Sequence, residues 1–419
     1  MSRVGAGFVV VGIGADGWRG LGDHARDELR GARVIFGAAR QLALLDEAAA
    51  ELAGDRIAWR SPMSEHLAAV LAGTDADAAS TGTVHILASG DPMFHGVGAS
   101  IVSRVGADRV RVIPAVSSAG HACARLGWDL ATTRVVSAVT ADPEIVLTET
   151  TDGARVLVLS RDQNTPAAIA KILVDNGFGD STVTVLEQLG GPGERVYSSP
   201  AHTWSYPEPD PLNIVAIDCA GPRSSRAPGR DDDAYDHDGQ ITKSTIRAAT
   251  VAALEPAGPQ LLWDIGAGSG SVTIEWLRAD VRGRAIAFER DPDRARRLSS
   301  NARRHGVAHR LTVRGAAPDA LADAPTPDTV FIGGGLDDEV LDLAWAALRD
   351  GGRIVVNAVT VENQSILIRR HGELGGTLRR LSVETLAPLG TMSTWRPALP
   401  IVQWAATKPA RTTSPEDES

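Results

Sequence analysis

The sequence predicts a tandem of two α/β domains, and three observations carry that expectation. Its 419 residues are too many for one ordinary core and suit two domains of about 200 residues each. Apolar strand-like runs alternate with helical stretches along both halves, which is the rhythm of α/β architecture. Between the halves, Gly221 to Gly239 is rich in proline, glycine and charge and reads as a linker. The expected division is residues 1–220, a linker at 221–239, a second domain at 240–407 and a polar, disordered tail at 408–419.

In the first domain the strand-like runs are Phe8 to Val11, Arg33 to Phe36, Val84 to Ala88, Val110 to Ile113, Arg155 to Leu159, Thr182 to Leu186 and Leu212 to Ile217. In the second they are Leu261 to Asp264, Arg284 to Glu289, Leu311 to Arg314, Thr329 to Ile332 and Arg353 to Asn357. Five strands separated by helices predict a doubly wound sheet there. Leu378 to Glu384 and Pro400 to Ala406 read as an antiparallel pair at its edge.

The most informative stretch begins at Leu261 and runs strand, glycine turn, helix, strand, acidic residue. That order describes a nucleoside-binding half-sheet. The turn Gly266-Ala267-Gly268-Ser269-Gly270 lets the backbone approach a ligand, and Glu289 closes the next strand, where its carboxylate can accept both ribose hydroxyls. Two charge-assisted hydrogen bonds of that kind contribute roughly 1.5–3 kcal/mol each. A dinucleotide site wants G-x-G-x-x-G, but here the third glycine comes one residue early and Ser271 holds its place. Asp264, before the first glycine, can meet a cationic methionine end and would repel a pyrophosphate. Spacing and charge together favour S-adenosylmethionine over NAD.

The first domain carries a second glycine cluster. Gly12-Ile-Gly14-Ala-Asp-Gly17 follows Val9 to Val11 and satisfies the dinucleotide pattern formally, yet the strand ending at Phe36-Gly37 offers no carboxylate for a ribose. Ser89-Gly90-Asp91-Pro92 and Pro114-Ala-Val-Ser117-Ser118 place small residues at the carboxyl ends of two strands, where open α/β sheets bind ligands; read as turns alone they are equally unremarkable.

Composition narrows the classes. With 43% hydrophobic and 22% charged residues the chain is globular, and no apolar run reaches the length of a membrane span. The Phe8 to Ile13 run is too short and glycine-broken for a signal peptide, so a cytoplasmic protein is expected. A net charge of −10 argues against nucleic-acid binding. Cys123 and Cys219 stand in no metal or redox spacing and read as buried thiols. Asp231 to Asp233 reads as a solvated run, His305 and His309 as solvated surface residues, and no metal is expected.

Taken together, Gly12-Ile-Gly14, Ser89-Gly90-Asp91-Pro92 and Pro114-Ala-Val-Ser117-Ser118-Ala resemble the tetrapyrrole methylase family over about residues 5 to 220. Asp238-Gly-Gln-Ile-Thr242-Lys243, Asp264 to Gly270, Gly315-Ala-Ala-Pro318, Phe331-Ile-Gly333-Gly334 and Asn357-Ala-Val-Thr360 resemble the decarboxylating precorrin methyltransferase domain. The fusion is similar to the precorrin-6Y C5,15-methyltransferase (decarboxylating) family of cobalamin biosynthesis. That resemblance implies a tetrapyrrole methylase fold of two α/β subdomains, followed by a Rossmann-like class I methyltransferase domain. It also implies two S-adenosylmethionine sites, one per domain, and methylation of carbons 5 and 15 with decarboxylation of the ring C acetate. By match to the family patterns the first site involves Gly12, Gly14, Ser89, Gly90, Asp91, Ser117 and Ser118, with Ser160 and Gly190 in weaker correspondence. The second involves Thr242, Gly266 to Gly270, Glu289 and Ala316 or Ala317. Two positions depart from the family: Ala15 where relatives often carry proline, and Ala316 where aspartate is frequent.

A tetrapyrrole substrate carries several carboxylates, which guanidinium groups match bidentately, and arginine far outnumbers lysine here. Arg353, Arg396 and Trp395 are candidates near the sheet's carboxyl edge or its C-terminal hairpin, and His95 is a candidate in the first domain. The acid that assists decarboxylation is not identified by sequence. An NAD-dependent oxidoreductase is the enzyme alternative, though no tyrosine has a lysine four residues on; a non-catalytic tetrapyrrole carrier is the other. The resemblance leaves a homo-oligomer open.

Overall fold

The computed structural model describes residues 7–75 and 82–410. By internal contacts it divides into two units, residues 1–143 with 149–222, and residues 144–148 with 223–419. In the first unit, β1 (Phe8–Ile13), β2 (Val34–Gly37), β3 (Asp55–Ala58), β4 (Val84–Ser89) and β5 (Val110–Ile113) form a parallel sheet in the order β3-β2-β4-β1-β5. Every residue of β1 and β2 is buried, because helices cover both faces and the strands read as continuous apolar runs. Order reverses at β1, whose carboxyl end lies between those of β4 and β5; this is where open sheets leave a crevice.

A second sheet in the same unit joins β6 (Arg134–Ser137), β7 (Arg155–Leu159), β8 (Thr182–Glu187), β9 (Arg195–Pro200) and β10 (Asn213–Asp218) in the order β6-β7-β10-β8-β9. Only β6 and β7 run parallel; the other pairs are antiparallel. The first unit thus has the expected pair of α/β subdomains. The strands β3, β6 and β9 carry no long apolar run, which is why the sequence did not mark them.

In the second unit, β11 (Leu261–Ile265), β12 (Arg284–Phe288), β13 (Leu311–Arg314), β14 (Thr329–Ile332) and β15 (Arg353–Ala358) are parallel. After β16 (Thr377–Leu381) come the strands of a separate hairpin, β17 (Glu384–Leu389) and β18 (Met392–Pro397), and then β19 (Ile401–Thr407). The sheet order is β13-β12-β11-β14-β15-β19-β16, with β19 antiparallel to both neighbours. Successive β11 residues serve opposite cores: Leu262 packs in one, Trp263 and Ile265 in the other. Among the described residues no helix is long and apolar enough to cross a membrane. Cys123 and Cys219 are buried free thiols, the latter pushed up to about 12 by burial.

Four expectations need correction. The stretch read as a linker is packed structure from Arg223 onward: Gly229 and Arg230 donate backbone N–H groups to the buried Glu275 at 2.6 and 3.1 Å, and the Tyr235 hydroxyl donates at 3.0 Å. The same carboxylate takes Nε of fully buried Arg247 at 2.6 Å, and Asp232 pairs with Arg247 and Lys243 at 3.2 Å each, so the Asp231 to Asp233 run is not merely solvated. A buried ion pair requires hydrogen bonds for its remaining polar atoms, and this polar segment supplies them. His305 is buried against Tyr235, with burial and then nearby Arg230 and Arg278 pulling it down to about 3. Lys408, expected in the tail, instead donates to the carbonyls of Trp345, Ala346 and Leu348 at 2.9, 3.0 and 2.6 Å; the tail from residue 411 lies outside the described residues.

Candidate functional site

The second unit builds its site on the turn after β11. Gly266, Gly268 and Gly270 all have left-handed φ values, +71°, +57° and +76°. A Cβ on Gly266 would stand 2.4 Å from the Gly334 carbonyl oxygen, and one on Gly270 would stand 2.6 Å from Leu298 Cγ. A Cβ on Gly268 would meet nothing within 4 Å. The outer two glycines are therefore required by packing, while the middle one faces open space at the carboxyl end of the sheet.

Glu289 lies one residue beyond β12 and is 7% exposed. Its Oε2 accepts the Gly268 N–H at 2.7 Å and its Oε1 accepts the Asp291 N–H at 2.9 Å. Each carboxylate oxygen keeps a further lone-pair direction, so a ribose diol can add to this arrangement. Asp264 is 1% exposed, beneath the turn; one oxygen accepts from the Thr273 hydroxyl, and Oδ1 is buried with no hydrogen-bond partner. Burial lifts this carboxyl to about 7, opposed by the Thr273 hydroxyl and reinforced by the negative Glu289. A nucleoside with a cationic amino-acid end fits these residues: open space over Gly268, acceptors at Glu289, and an unpartnered carboxylate oxygen at Asp264.

Thr242 precedes helix Ser244–Leu254, and its carbonyl accepts from Arg247 Nη1. Ala316 is exposed and Ala317 half-buried just after β13. Arg353 does not belong to this edge. It is the first residue of β15, at the amino end, and its guanidinium is held by the Ala253 carbonyl and by Glu255 at 3.0 Å. The sequence error lay in assigning a strand's first residue to its last. Trp395, 62% exposed, and Arg396 lie on β18 of the separate hairpin, Trp395 opposite exposed Leu386.

In the first unit the predicted residues converge at the switch point. A Cβ on Gly12 would stand 2.3 Å from the Gly90 carbonyl oxygen and 2.8 Å from the Ala115 nitrogen, so the ends of β1, β4 and β5 are in direct backbone contact. Gly90, at φ +58°, donates its N–H to Ile13. A Cβ on Gly14 would strike the Asp16 carboxylate, at 2.5 Å from Oδ1. Ser89 Oγ accepts from Arg40 Nη2 at 2.8 Å and Gln41 Nε2 at 3.0 Å. Asp91 Oδ1 takes the Met93 N–H at 2.9 Å, so its carboxylate braces its own turn. Ser117 caps helix Ser118–Leu126 by accepting from the Gly120 N–H at 3.0 Å, and Ser118 is exposed at the first helical position.

Glu194, Gly191, Gln188 and Asn213 are neighbours that escaped the sequence. Glu194 accepts the Gly190 N–H at 2.8 Å and binds Arg125 at 2.5 and 2.9 Å, fixing the loop after β8 beside the helix that Ser117 caps. Gly191 approaches the Ala15 carbonyl so closely that a Cβ would stand 2.7 Å from its oxygen. Gln188, at φ +48°, and His95, at φ +55°, are non-glycine residues in the left-handed region, a strain that concentrates at functional sites. Gln188 is signalled by no motif, whereas His95 is one of the sequence candidates, three residues past Pro92. Ser160 Oγ and Asn213 Oδ1, at adjoining ends of β7 and β10, are buried without hydrogen-bond partners, leaving polar atoms for a ligand. His95 is exposed, with its ring edge-on to Phe94 at 4.9 Å.

Comparison with known proteins gives a concordant picture. Residues 7–203 match the family model of tetrapyrrole (corrin/porphyrin) methylases, and residues 233–408 match the precorrin methyltransferase domain. The precorrin-6Y C(5,15)-methyltransferase (decarboxylating) of Mycobacterium tuberculosis (strain ATCC 25618 / H37Rv) is 46% identical over 406 residues, covering 96% of this chain and 100% of that protein. A protein of the same description from Sinorhizobium sp is 43% identical, covering 96% of each. The crystal structure of the C-terminal domain of precorrin-6Y C5,15-methyltransferase from Rhodobacter capsulatus shares 46% identity, covers 44% of this chain and all of its own, and superposes with a TM-score of 0.43.

Proposed function

The chain belongs to the precorrin-6Y C5,15-methyltransferase (decarboxylating) family, and from that membership we infer that it is an S-adenosylmethionine-dependent enzyme of cobalamin biosynthesis, methylating a precorrin at carbons 5 and 15 and decarboxylating it. Identity of 46% across 96% of the chain, spanning both units, is the observation that carries this reading. We further propose one S-adenosylmethionine site in each unit. The glycine turn with Glu289 and Asp264 supports the second; the close approach of Gly12 to Gly90 and Ala115, and separately the unpartnered Ser160 Oγ, support the first.

Bound S-adenosylmethionine supplies an electrophilic methyl group. The chain's own residues orient and dehydrate the reactants. Glu289 accepts the ribose hydroxyls while its two backbone bonds keep the carboxylate fixed, and Asp264 Oδ1 balances positive charge at the methionine end. The nucleophilic carbon comes from the reduced tetrapyrrole, by conjugation from a ring nitrogen, so methyl transfer requires no protein nucleophile. Loss of carbon dioxide from an acetate needs an adjacent protonated ring as electron sink; an acid held near it would assist. Arg353, its guanidinium held by the Ala253 carbonyl and by Glu255, is not available to pair with a substrate carboxylate. A cytoplasmic location follows from this biosynthetic role.

The test is incubation of the full chain with precorrin-6Y and methyl-labelled S-adenosylmethionine, read by mass spectrometry. Gain of two labelled methyl groups with loss of one carbon dioxide is the expected outcome. Hydride transfer to NAD, or tetrapyrrole binding without turnover, would sink the assignment in favour of an oxidoreductase or a carrier.

A further inference from the structure

Helix Pro292–Arg304 buries Leu298, Asn301 and Ala302, and the polar member of that set is fully enclosed. Asn301 Oδ1 accepts the Asp236 N–H at 2.9 Å, and Nδ2 donates to the Asp236 carbonyl at 2.9 Å and to the Ser269 carbonyl at 3.0 Å. Both amide hydrogens are thereby used. The side chain pairs with Asp236 as a neighbouring strand would, and spends its remaining hydrogen on the glycine turn.

The same segment is fastened further along. Asp238 Oδ2 lies 2.8 Å from Arg294 Nε and 3.6 Å from Arg297 Nη1, both on the helix that carries Asn301. At the far end, Arg247 holds the Thr242 carbonyl. The helix itself begins three residues after Glu289, with Asp291 as its cap. One rigid element therefore sets the ribose carboxylate, the glycine turn and residues 236–242 relative to one another.

We propose that Asn301 is a positioning residue for the second cofactor site, fixing residues 236–242 as a preformed strap beside the Gly266 to Gly270 turn and holding the peptide after Ser269 in one orientation. This rests on the assignment of that turn to S-adenosylmethionine. Asn301 touches no reacting atom; it acts through Ser269 and through the strap that bears Thr242. A flexible strap would have to be ordered at each binding event, and that cost would appear in cofactor affinity.

The test is calorimetric titration of the full chain with S-adenosylmethionine, alongside thermal unfolding, for wild type, Asn301→Ala, Asn301→Asp, Asp238→Asn and Glu289→Ala. Glu289→Ala identifies the binding class that belongs to the second unit. Asn301→Ala should weaken that class by on the order of tenfold or more and leave the other unchanged. Asn301→Asp keeps the acceptor for the Asp236 N–H but sets a carboxylate against two carbonyls, and should bind no better than the alanine variant. Asp238→Asn, at a partly exposed ion pair, should weaken the same class by a smaller factor with its melting temperature unchanged. Lowered stability with unchanged affinity in the Asn301 variants would make the residue merely structural. If those variants do not fold, unchanged affinity in Asp238→Asn overturns the proposal. A wild-type chain with no class sensitive to Glu289→Ala refutes the site assignment itself, and the proposal with it.

Discussion

The second cradle should bind S-adenosylmethionine more tightly as pH rises through about 7, and Asp264→Asn should remove that dependence. Burial holds the Asp264 carboxyl at about 7, far above its ordinary 3.8, and Oδ1 has no protein donor. A cationic methionine end gains from this oxygen only when it is ionised. With a value near 7 the ionised fraction is about one tenth at pH 6 and about nine tenths at pH 8, so the dissociation constant of this class should fall about tenfold between those pH values. Asparagine keeps the shape without the titration. The variant should match wild type at pH 6 to within a few-fold and fall behind it by about tenfold at pH 8. Calorimetry in two buffers of different ionisation enthalpy reads both the affinity and the proton released on binding. The sign for stability runs the other way: because the folded value exceeds the unfolded one, the unliganded second unit holds a proton that the unfolded chain loses. It should therefore lose stability as pH rises from about 4 to about 7, and ligand should offset the loss. A pH-independent constant in wild type, or a slope that survives in Asp264→Asn, would refute the placement of positive charge at Oδ1.

Two further outcomes follow from packing. Gly12→Val should abolish the first unit's cofactor class while leaving the second, because even a Cβ would stand 2.3 Å from the Gly90 carbonyl oxygen; calorimetry on the folded variant checks it, and two retained classes would contradict the site. Glu275→Ala should destabilise the second unit by about 3–5 kcal/mol, since it strands the fully buried Arg247, and Glu275→Met with Arg247→Met should recover most of that loss in denaturant unfolding.

What could be read from the sequence divides by the kind of interaction involved. Glycine turns at strand ends are visible because close backbone approach excludes every other residue type, as Gly12 and Gly266 illustrate, and the central parallel strands are visible because burial on both faces demands unbroken apolar runs. Polar residues carry no such mark. Arg247, Glu275, Asp232 and Tyr235 are spread over more than forty positions and have ordinary surface composition, yet they form a buried network that holds the Gly229 to Lys243 stretch in place. Composition alone made that stretch a spacer. The hairpin β17–β18 failed for the opposite reason: its apolar residues Leu386, Met392 and Trp395 are exposed, so burial never imposed a pattern on it. Arg353 shows that knowing a strand is not enough, because function depends on which end a residue occupies. Asn301 combines these difficulties, being a single amide in an arginine-rich helix whose partners lie 32 and 65 residues away. Glycines at close backbone approaches impose a local pattern on the chain, whereas the groups that hold them in register are distant in sequence and chemically unexceptional. The turns of the proposed cradle were therefore legible before their supports, and on this proposal the supports are where cofactor affinity should change without touching a motif residue.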